Sequence, residues 1–167
     1  MPTVANFTYD PMQRDNDCWV SAAIMTYNCM RSDKIDRTNR IIQNDPNFRN
    51  GQMGSASDLL WKLGVKNYVY TTAPFPTGEQ IRKHIDKNKP LLCCVGADYP
   101  GRKPDINYQG GHWVVIYGYE VSGGTLSQRV VNQVRVADPD PNVGCVTVAY
   151  DEAVYGTNYW ENTSYMS

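Results

Sequence analysis

Apolar residues in the first half of the chain recur every three to four positions, which is the spacing of helices that bury one face. The clearest run extends from Cys18 to about Met30, after residues that often cap helices: Asp15, Asn16 and Asp17. Cys18 is therefore expected in the first turn of a helix. A polar section follows, in which a short helix is predicted around residues 35–42.

Two further helices are predicted before residue 90. Ser55 or Ser57 caps the earlier one, which carries several leucines and stops at Gly64. Thr77 and Gln80 have capping-box spacing at the start of the later one. The first half of the chain is thus predicted to be helical.

After Pro90, where the last of these helices is expected to end, the chain shifts to runs of β-branched and aromatic residues. Segments rich in Gly, Asp, Pro and Ser separate four such runs: Leu91 to Val95, Trp113 to Val121, Val130 to Val136 and Cys145 to Tyr150. We expect these runs to form a mostly antiparallel sheet. The predicted fold class is α+β, with an N-terminal helical part whose first helix packs on a C-terminal antiparallel β-sheet.

Length and composition point to one globular unit. A chain of 167 residues that is 41% apolar can bury one core, so a single domain over residues 1–167 is expected. The 16 basic and 17 acidic residues form no long block of either sign, so no nucleic-acid partner is expected. No apolar stretch reaches the roughly 18 residues of a membrane span, and no Sec-type signal is present. The chain is predicted to be soluble, cytoplasmic or exported by another route, and its oligomeric state stays open.

The five cysteines are an odd number without C-x-x-C spacing, so neither a disulfide framework nor a metal or cofactor site is predicted. Four of them are expected to be small, buried apolar residues: Cys29, Cys93, Cys94 and Cys145. Cys18 differs because the positive end of a helix dipole favours the thiolate, which is the nucleophilic form of cysteine. Cys18 is therefore the candidate nucleophile.

Only two histidines are available to assist such a nucleophile. His84 lies within a predicted helix beside two lysines, where a solvated surface position is expected. His112 follows Gly110 and Gly111 and opens a strand, and paired glycines let a substrate strand approach closely. His112 is the candidate general base, although a histidine at a strand end can also form only local hydrogen bonds.

An acidic partner for His112 is predicted from the geometry of a hairpin. If the strands on either side of residues 122–127 pair about a centre near residue 125, residue 112 lies opposite residue 138. Asp138 would then accept the ring N–H of His112 and fix its orientation, and Pro139 would end the ladder. Since this depends on the register, Asp140 is the alternative.

Gln13 lies five residues before Cys18 and is a candidate oxyanion donor. Together with the backbone N–H of Cys18 it would stabilise the tetrahedral intermediate of acyl transfer. Two nearby acidic residues, Asp15 and Asp17, would oppose formation of a thiolate unless they point away or cap the helix.

These motifs resemble those of the compact papain-like peptidases. The similar features are Gln13-x-x-x-x-Cys18-Trp19 opening a helix, Gly-His-Trp-Val-Val-Ile-x-Gly-Tyr around His112, and Val-Ala-Asp-Pro at 136–139. Within that group the chain is most similar to bacterial forms, namely bacteriocin-processing-like peptidases and secreted papain-like effectors of plant-associated bacteria. It departs from plant papains and cathepsins, since Asp-Asn-Asp-Cys-Trp replaces their Cys-Gly-Ser-Cys-Trp and an Asp replaces their usual Asn.

The resemblance implies a papain-like fold and a cysteine protease that acts on a protein or peptide substrate, with four catalytic residues: Cys18, His112, Asp138 and Gln13. Two alternatives stay open. One is another Cys-His-Asp acyl-transfer enzyme, such as an amidase, a deamidase or a transglutaminase-like protein. The other is a non-catalytic binding protein of the same fold. The segment from Asp98 to Gln109 is a candidate wall or lid of the substrate groove.

Overall fold

The structure is a computed structural model, and it describes residues 2–65, 68–71, 76–95, 111–123, 130–151 and 160–166. These ranges contain the helices α1 (Cys18–Met30), α2 (Arg40–Asn44), α3 (Pro46–Arg49), α4 (Ala56–Lys62) and α5 (Gly78–Ile85). No helix among these residues is long and apolar enough to cross a membrane.

The strands form one antiparallel sheet. They are β1 (Tyr68–Thr71), β2 (Leu91–Val95), β3 (His112–Ser122), β4 (Val130–Ala137), β5 (Cys145–Ala149) and β6 (Trp160–Met166). Their order across the six-stranded sheet is β1-β6-β2-β3-β4-β5, and each neighbouring pair is antiparallel. The predicted α+β class, with helices packed on an antiparallel sheet, is confirmed.

Capping side chains begin two of the helices as predicted. Ser55, rather than Ser57, caps α4 by accepting the backbone N–H of Asp58 at 3.2 Å. Thr77 and Gln80 form the reciprocal capping box of α5. Short polar side chains at these positions satisfy N–H groups that have no partner inside a helix, so their spacing predicts the helix starts well.

The helix predicted around residues 35–42 is wrong over residues 35–39, since the helix begins only at Arg40. The side chain of Asp36 accepts hydrogen bonds from the backbone and hydroxyl of Thr38, which forms a turn instead. Asn39 then caps α2 by accepting the N–H of Ile41 at 2.9 Å. The short helix α3 follows at once, capped by Asp45.

The sheet is larger than the sequence predicts. β1 comes from the half of the chain that was expected to be helical, and β6 lies between β1 and β2. A four-residue strand and the mixed sequence of β6 carry no clear alternation of apolar and polar residues. Their pairing depends on partners that are distant along the chain, so local pattern does not reveal it.

Two apolar clusters build the core, one on each face of the sheet. Alternate strand residues divide between them: Leu92 and Val115 belong to one cluster, and Leu91 and Val114 belong to the other. α1, α2 and α4 contribute to the first cluster, whereas α5 contributes to the second. Helix α1 is therefore fixed against β2 and β3, next to the strand that begins at His112.

The hairpin of β3 and β4 does not have the predicted register. The prediction sets Ala137 opposite Trp113, whereas the structure pairs Ala137 with Val115, and irregularities in the ladder shift the pairing again farther along. The error at this end is two residues. Because side chains alternate with a period of two, Asp138 stays on the same side of the ladder as His112 and becomes its diagonal neighbour.

Gly54 packs closely against Trp19, the residue that follows Cys18. A Cβ atom at this position would lie 2.8 Å from two ring atoms of Trp19, which is buried directly after Cys18. We predict that Gly54→Ala lowers the free energy of unfolding by about 1–3 kcal/mol, because the indole must shift in a packed core.

Chemical denaturation measures this effect. Gln52→Ala is the matched control, since Gln52 is exposed two positions earlier, and its change should stay within about 0.5 kcal/mol. Equal stability of the two variants would show that the ring is not tightly packed.

Candidate active site

Cys18 is the first residue of α1, and its side chain is 1% exposed. The helix begins here because the carbonyl of Asp17 accepts the N–H groups of Val20 and Ser21 at 3.0 and 3.1 Å. Asp17 occupies the N-cap position, but its carboxylate makes no capping hydrogen bond. The positive end of the helix dipole therefore lies at Cys18 without an anionic cap.

His112 is the first residue of β3 and is fully buried. Gly111 before it has a φ of +95°, a backbone conformation that favours glycine and sets the direction in which β3 begins. Ring atom Nε2 lies 2.6 Å from Oδ1 of Asp138, and the side chain of Cys18 is near enough to raise the pKa of the ring. The structure thus brings Cys18, His112 and Asp138 together.

Asp138 follows β4 directly and is held through its backbone and its side chain. Its N–H donates to the carbonyl of Gly144 at 3.0 Å, and its carbonyl accepts from the hydroxyl of Tyr9 at 2.7 Å. Its Oδ1 also accepts the backbone N–H of Asp140 at 2.8 Å. Because a carboxylate only accepts hydrogen bonds, Nε2 of His112 is the donor in their contact.

Asp140, the alternative partner for His112, has a different role. Its carboxylate accepts the backbone N–H and the side-chain amide of Asn142 at 2.9 and 3.0 Å. These contacts stabilise the turn between β4 and β5. The carboxylate oxygen that lies 2.6 Å from the imidazole belongs to Asp138.

Tyr9 is a residue of the site that the sequence pattern does not reveal. Burial, reinforced by the charge of Asp138, raises the pKa of its hydroxyl to about 12, so it remains a hydrogen-bond donor. Close by in the chain, the N–H of Met12 donates to the carbonyl of Pro139 at 2.8 Å. These two contacts fasten the segment before Gln13 to the loop that carries Asp138.

The surroundings of His112 favour its protonated form. Burial alone lowers the pKa of the imidazole, but the hydrogen bonds and charges of Asp138 and Cys18 outweigh it and raise the pKa from 6.5 to about 9. This shift favours the imidazolium form of the ring at neutral pH. A cation beside a cysteine favours the thiolate form of its sulfur.

Gln13 is exposed and precedes Cys18 by five residues. Its position directly after the Met12 contact places it on the segment that leads into α1. Because the side-chain amide of Gln13 is exposed, it can bind another molecule without breaking a contact in the core. The predicted wall or lid from Asp98 to Gln109 lies outside the described residues.

The other cysteines and the second histidine differ from one another in burial. Cys93 and Cys94 are buried as expected, whereas Cys29 is half-buried and Cys145 is exposed. The expectation of burial is wrong for Cys145, which lies on β5, the last strand of the sheet among the described residues. His84, expected to be solvated, is half-buried in the last turn of α5.

A family model matches residues 8–167, and its description is the Peptidase_C39 like family. The chain belongs to the Peptidase_C39 like family. The resemblance to compact bacterial papain-like cysteine peptidases is thereby confirmed. Membership of a C39-like peptidase family implies a protein or peptide substrate. No curated protein sequence matches the chain.

Solved structures described as peptidases or peptidase domains share this fold at low sequence identity. The peptidase domain of Streptococcus ComA, described as a bifunctional ABC transporter in a quorum-sensing pathway, has 13% identity and a TM-score of 0.54, covering 96% of this chain and 98% of that one. The peptidase domain of Streptococcus mutans ComA has 13% identity and a TM-score of 0.52, covering 95% and 98%. A Bacillus anthracis protein described as a C39-like peptidase has 17% identity and a TM-score of 0.58, covering 99% and 96%.

The pKa of His112 provides a direct test of this arrangement. In NMR titrations, the imidazole should lose its proton as the pH rises through about 9 instead of 6.5. In Asp138→Asn the pKa of His112 should fall toward 6.5 or below it, because burial lowers this pKa and the charge of Asp138 that raises it is lost.

The raised pKa of His112 also makes its protonated form a source of stability. This stability is complete below pH 6.5 and is lost as the pH rises through about 9.

Asp58→Asn is the control for this titration, because it removes an exposed carboxylate at the first turn of α4 and should leave the pKa of His112 unchanged. The signal is assigned by its loss in His112→Gln. A wild-type ring that titrates near 6.5 would contradict the described geometry.

Proposed function

We propose that this C39-like protein is a papain-like cysteine protease that hydrolyses peptide bonds through Cys18. His112 acts as the base, and Asp138 orients it. The observation that supports this most strongly is the buried imidazole of His112, which lies beside Cys18 and 2.6 Å from the carboxylate of Asp138. A ring in this position can take a proton from a thiol and return it to a leaving amine.

In the proposed resting enzyme the proton of the Cys18 thiol resides on His112. The raised pKa of the imidazole favours this distribution. Because Nε2 is bound to Asp138, the transferable proton is carried by Nδ1. The role of Asp138 is to fix the ring so that Nδ1 points toward the sulfur.

Acylation begins when the sulfur of Cys18 attacks the carbonyl carbon of the scissile peptide. The carbonyl oxygen gains negative charge, and two donors are proposed to bind it: the backbone N–H of Cys18 and the side-chain amide of Gln13. The carbon–nitrogen bond then breaks as Nδ1 of His112 protonates the amine. A thioester remains on Cys18, and the imidazole is neutral.

Deacylation uses the same groups in reverse. Neutral His112 takes a proton from water while the oxygen of that water adds to the thioester carbon. The tetrahedral intermediate collapses, the carbon–sulfur bond breaks, and the acid product leaves. Cys18 is again a thiolate beside an imidazolium.

We predict that Cys18→Ala reduces peptide cleavage by about four orders of magnitude or more, because the thioester no longer forms. New N-termini are mapped by mass spectrometry after active protein or the variant is added to a mixed proteome. Cys145→Ala is the matched control, since this exposed cysteine lies at the sheet edge and its loss should leave the cleavage pattern unchanged.

The products also distinguish peptide hydrolysis from other acyl transfer. New N-termini that depend on Cys18 support a protease, whereas released ammonia or cross-linked products without new termini would indicate an amidase, a deamidase or a transglutaminase-like enzyme. Cleavage that persists in Cys18→Ala would contradict the proposal.

A further inference from the structure

A buried carboxylate lies one residue before the proposed nucleophile. The side chain of Asp17 is only 2% exposed, and a negative charge at this position opposes formation of a thiolate at Cys18. Asp17 does not use its carboxylate to cap α1, so the N–H groups of the helix do not balance that charge. An anionic sulfur beside Asp17 therefore requires a compensating cation.

Arg14 supplies that cation through a bidentate contact. Its Nε donates to Oδ2 of Asp17 and its Nη2 donates to Oδ1, each at 3.0 Å. Nη2 also donates to the carbonyl of Phe48 at 2.8 Å, and the guanidinium lies 4.5 Å from the centre of the Phe48 ring. The hydrogen bond to Asp17 raises the pKa of Arg14, so the guanidinium stays charged.

Further hydrogen bonds hold the backbone between Gln13 and Cys18. The N–H of Asp17 donates to the carbonyl of Arg14 at 3.1 Å, which closes a turn. Asn16, between them, donates from its side chain to the carbonyl of Gly51 at 3.0 Å. The segment that joins the two proposed oxyanion donors is thus tied to α3 and to the loop that follows it.

We infer that Arg14 is a positioning residue that neutralises Asp17 and so permits a thiolate at Cys18. It acts through Asp17 and does not touch the reacting atoms. The inference rests on the proposed role of Cys18 and adds a requirement of this chain, because a carboxylate directly before the nucleophile needs its own partner.

Other ionisable groups lie on the elements packed against α1. His112 of β3 lies beside Cys18 and is paired with Asp138. Cys94 of β2 lies in the same apolar cluster, and Lys62 of α4 has its own carboxylate partner. A comparison of variants at positions 14 and 17 keeps all of these groups constant.

The test is the rate of Cys18 alkylation by iodoacetamide as a function of pH, followed by peptide mass spectrometry with Cys145 as a reference in the same samples. In Arg14→Met, the midpoint of the pH profile should rise by about one pH unit, so alkylation on its acid side should be about tenfold slower. In the double variant Arg14→Met with Asp17→Asn, the midpoint should return close to that of the wild type. Arg40→Met, which removes an exposed arginine of α2, should leave the profile unchanged.

An unmoved midpoint in Arg14→Met, or a double variant that stays shifted, would overturn the inference, because either result indicates a structural role without charge compensation. If Arg14→Met does not fold, Asp17→Asn decides the matter. Its Cys18 should react at least as fast as the wild type on the acid side, and slower reaction would contradict the inference. A wild-type Cys18 that never reacts faster than Cys145 would count against the proposed function instead.

Discussion

Burial of a histidine ring in an apolar interior costs free energy unless hydrogen bonds replace its contacts with water. His112 has no exposed surface, and the carboxylate of Asp138 at 2.6 Å provides this compensation. Removing one partner of a buried ion pair costs about 3–5 kcal/mol, because the other charge is left alone in the interior. The contact therefore requires the start of β3 and the end of β4 to stay together, whatever else changes in the sheet.

Several features of the fold meet at this contact. Gly111 sets the direction in which β3 begins, and the turn after β4 presents the N–H of Asp140 to the same carboxylate oxygen that binds His112. On one face of the sheet, α1 places Cys18 against the imidazole. The segment before α1 is fastened to the loop after β4 by the hydroxyl of Tyr9. In our proposal, this arrangement lets one proton move between sulfur, imidazole and substrate while the heavy atoms stay in place.

Local rules predict the parts of this structure that depend on neighbouring residues. The start of α1 at Cys18, the capping box at Thr77 and the strand Leu91–Val95 follow from short patterns of capping and apolar residues. His112 stands out because only two histidines are present. The diagonal contact between His112 and Asp138 survives a wrong register only because the error is an even number of residues.

Features that depend on distant partners are not visible in the sequence pattern. β1 and β6 pair with strands that are far away along the chain. Their own residues show no alternation of apolar and polar positions. The hydroxyl of Tyr9 reaches the carbonyl of Asp138 across 129 positions, and no spacing rule connects these residues. The position of Asp17 predicts a side chain that caps the helix, but its carboxylate accepts hydrogen bonds from Arg14, three residues earlier. In each case a tertiary contact outweighs the local preference.

The central claim is that the sulfur of Cys18 carries the acyl group during turnover, and trapping that group tests it most directly. Wild-type protein and His112→Gln are mixed with a peptide ester, quenched in acid within the first turnover, and digested for mass spectrometry. We expect a thioester of the acyl fragment on the peptide that contains Cys18 in the wild type, and a much lower yield in His112→Gln. Product formation without an acyl group on Cys18, or with the group on another residue, would contradict the claim.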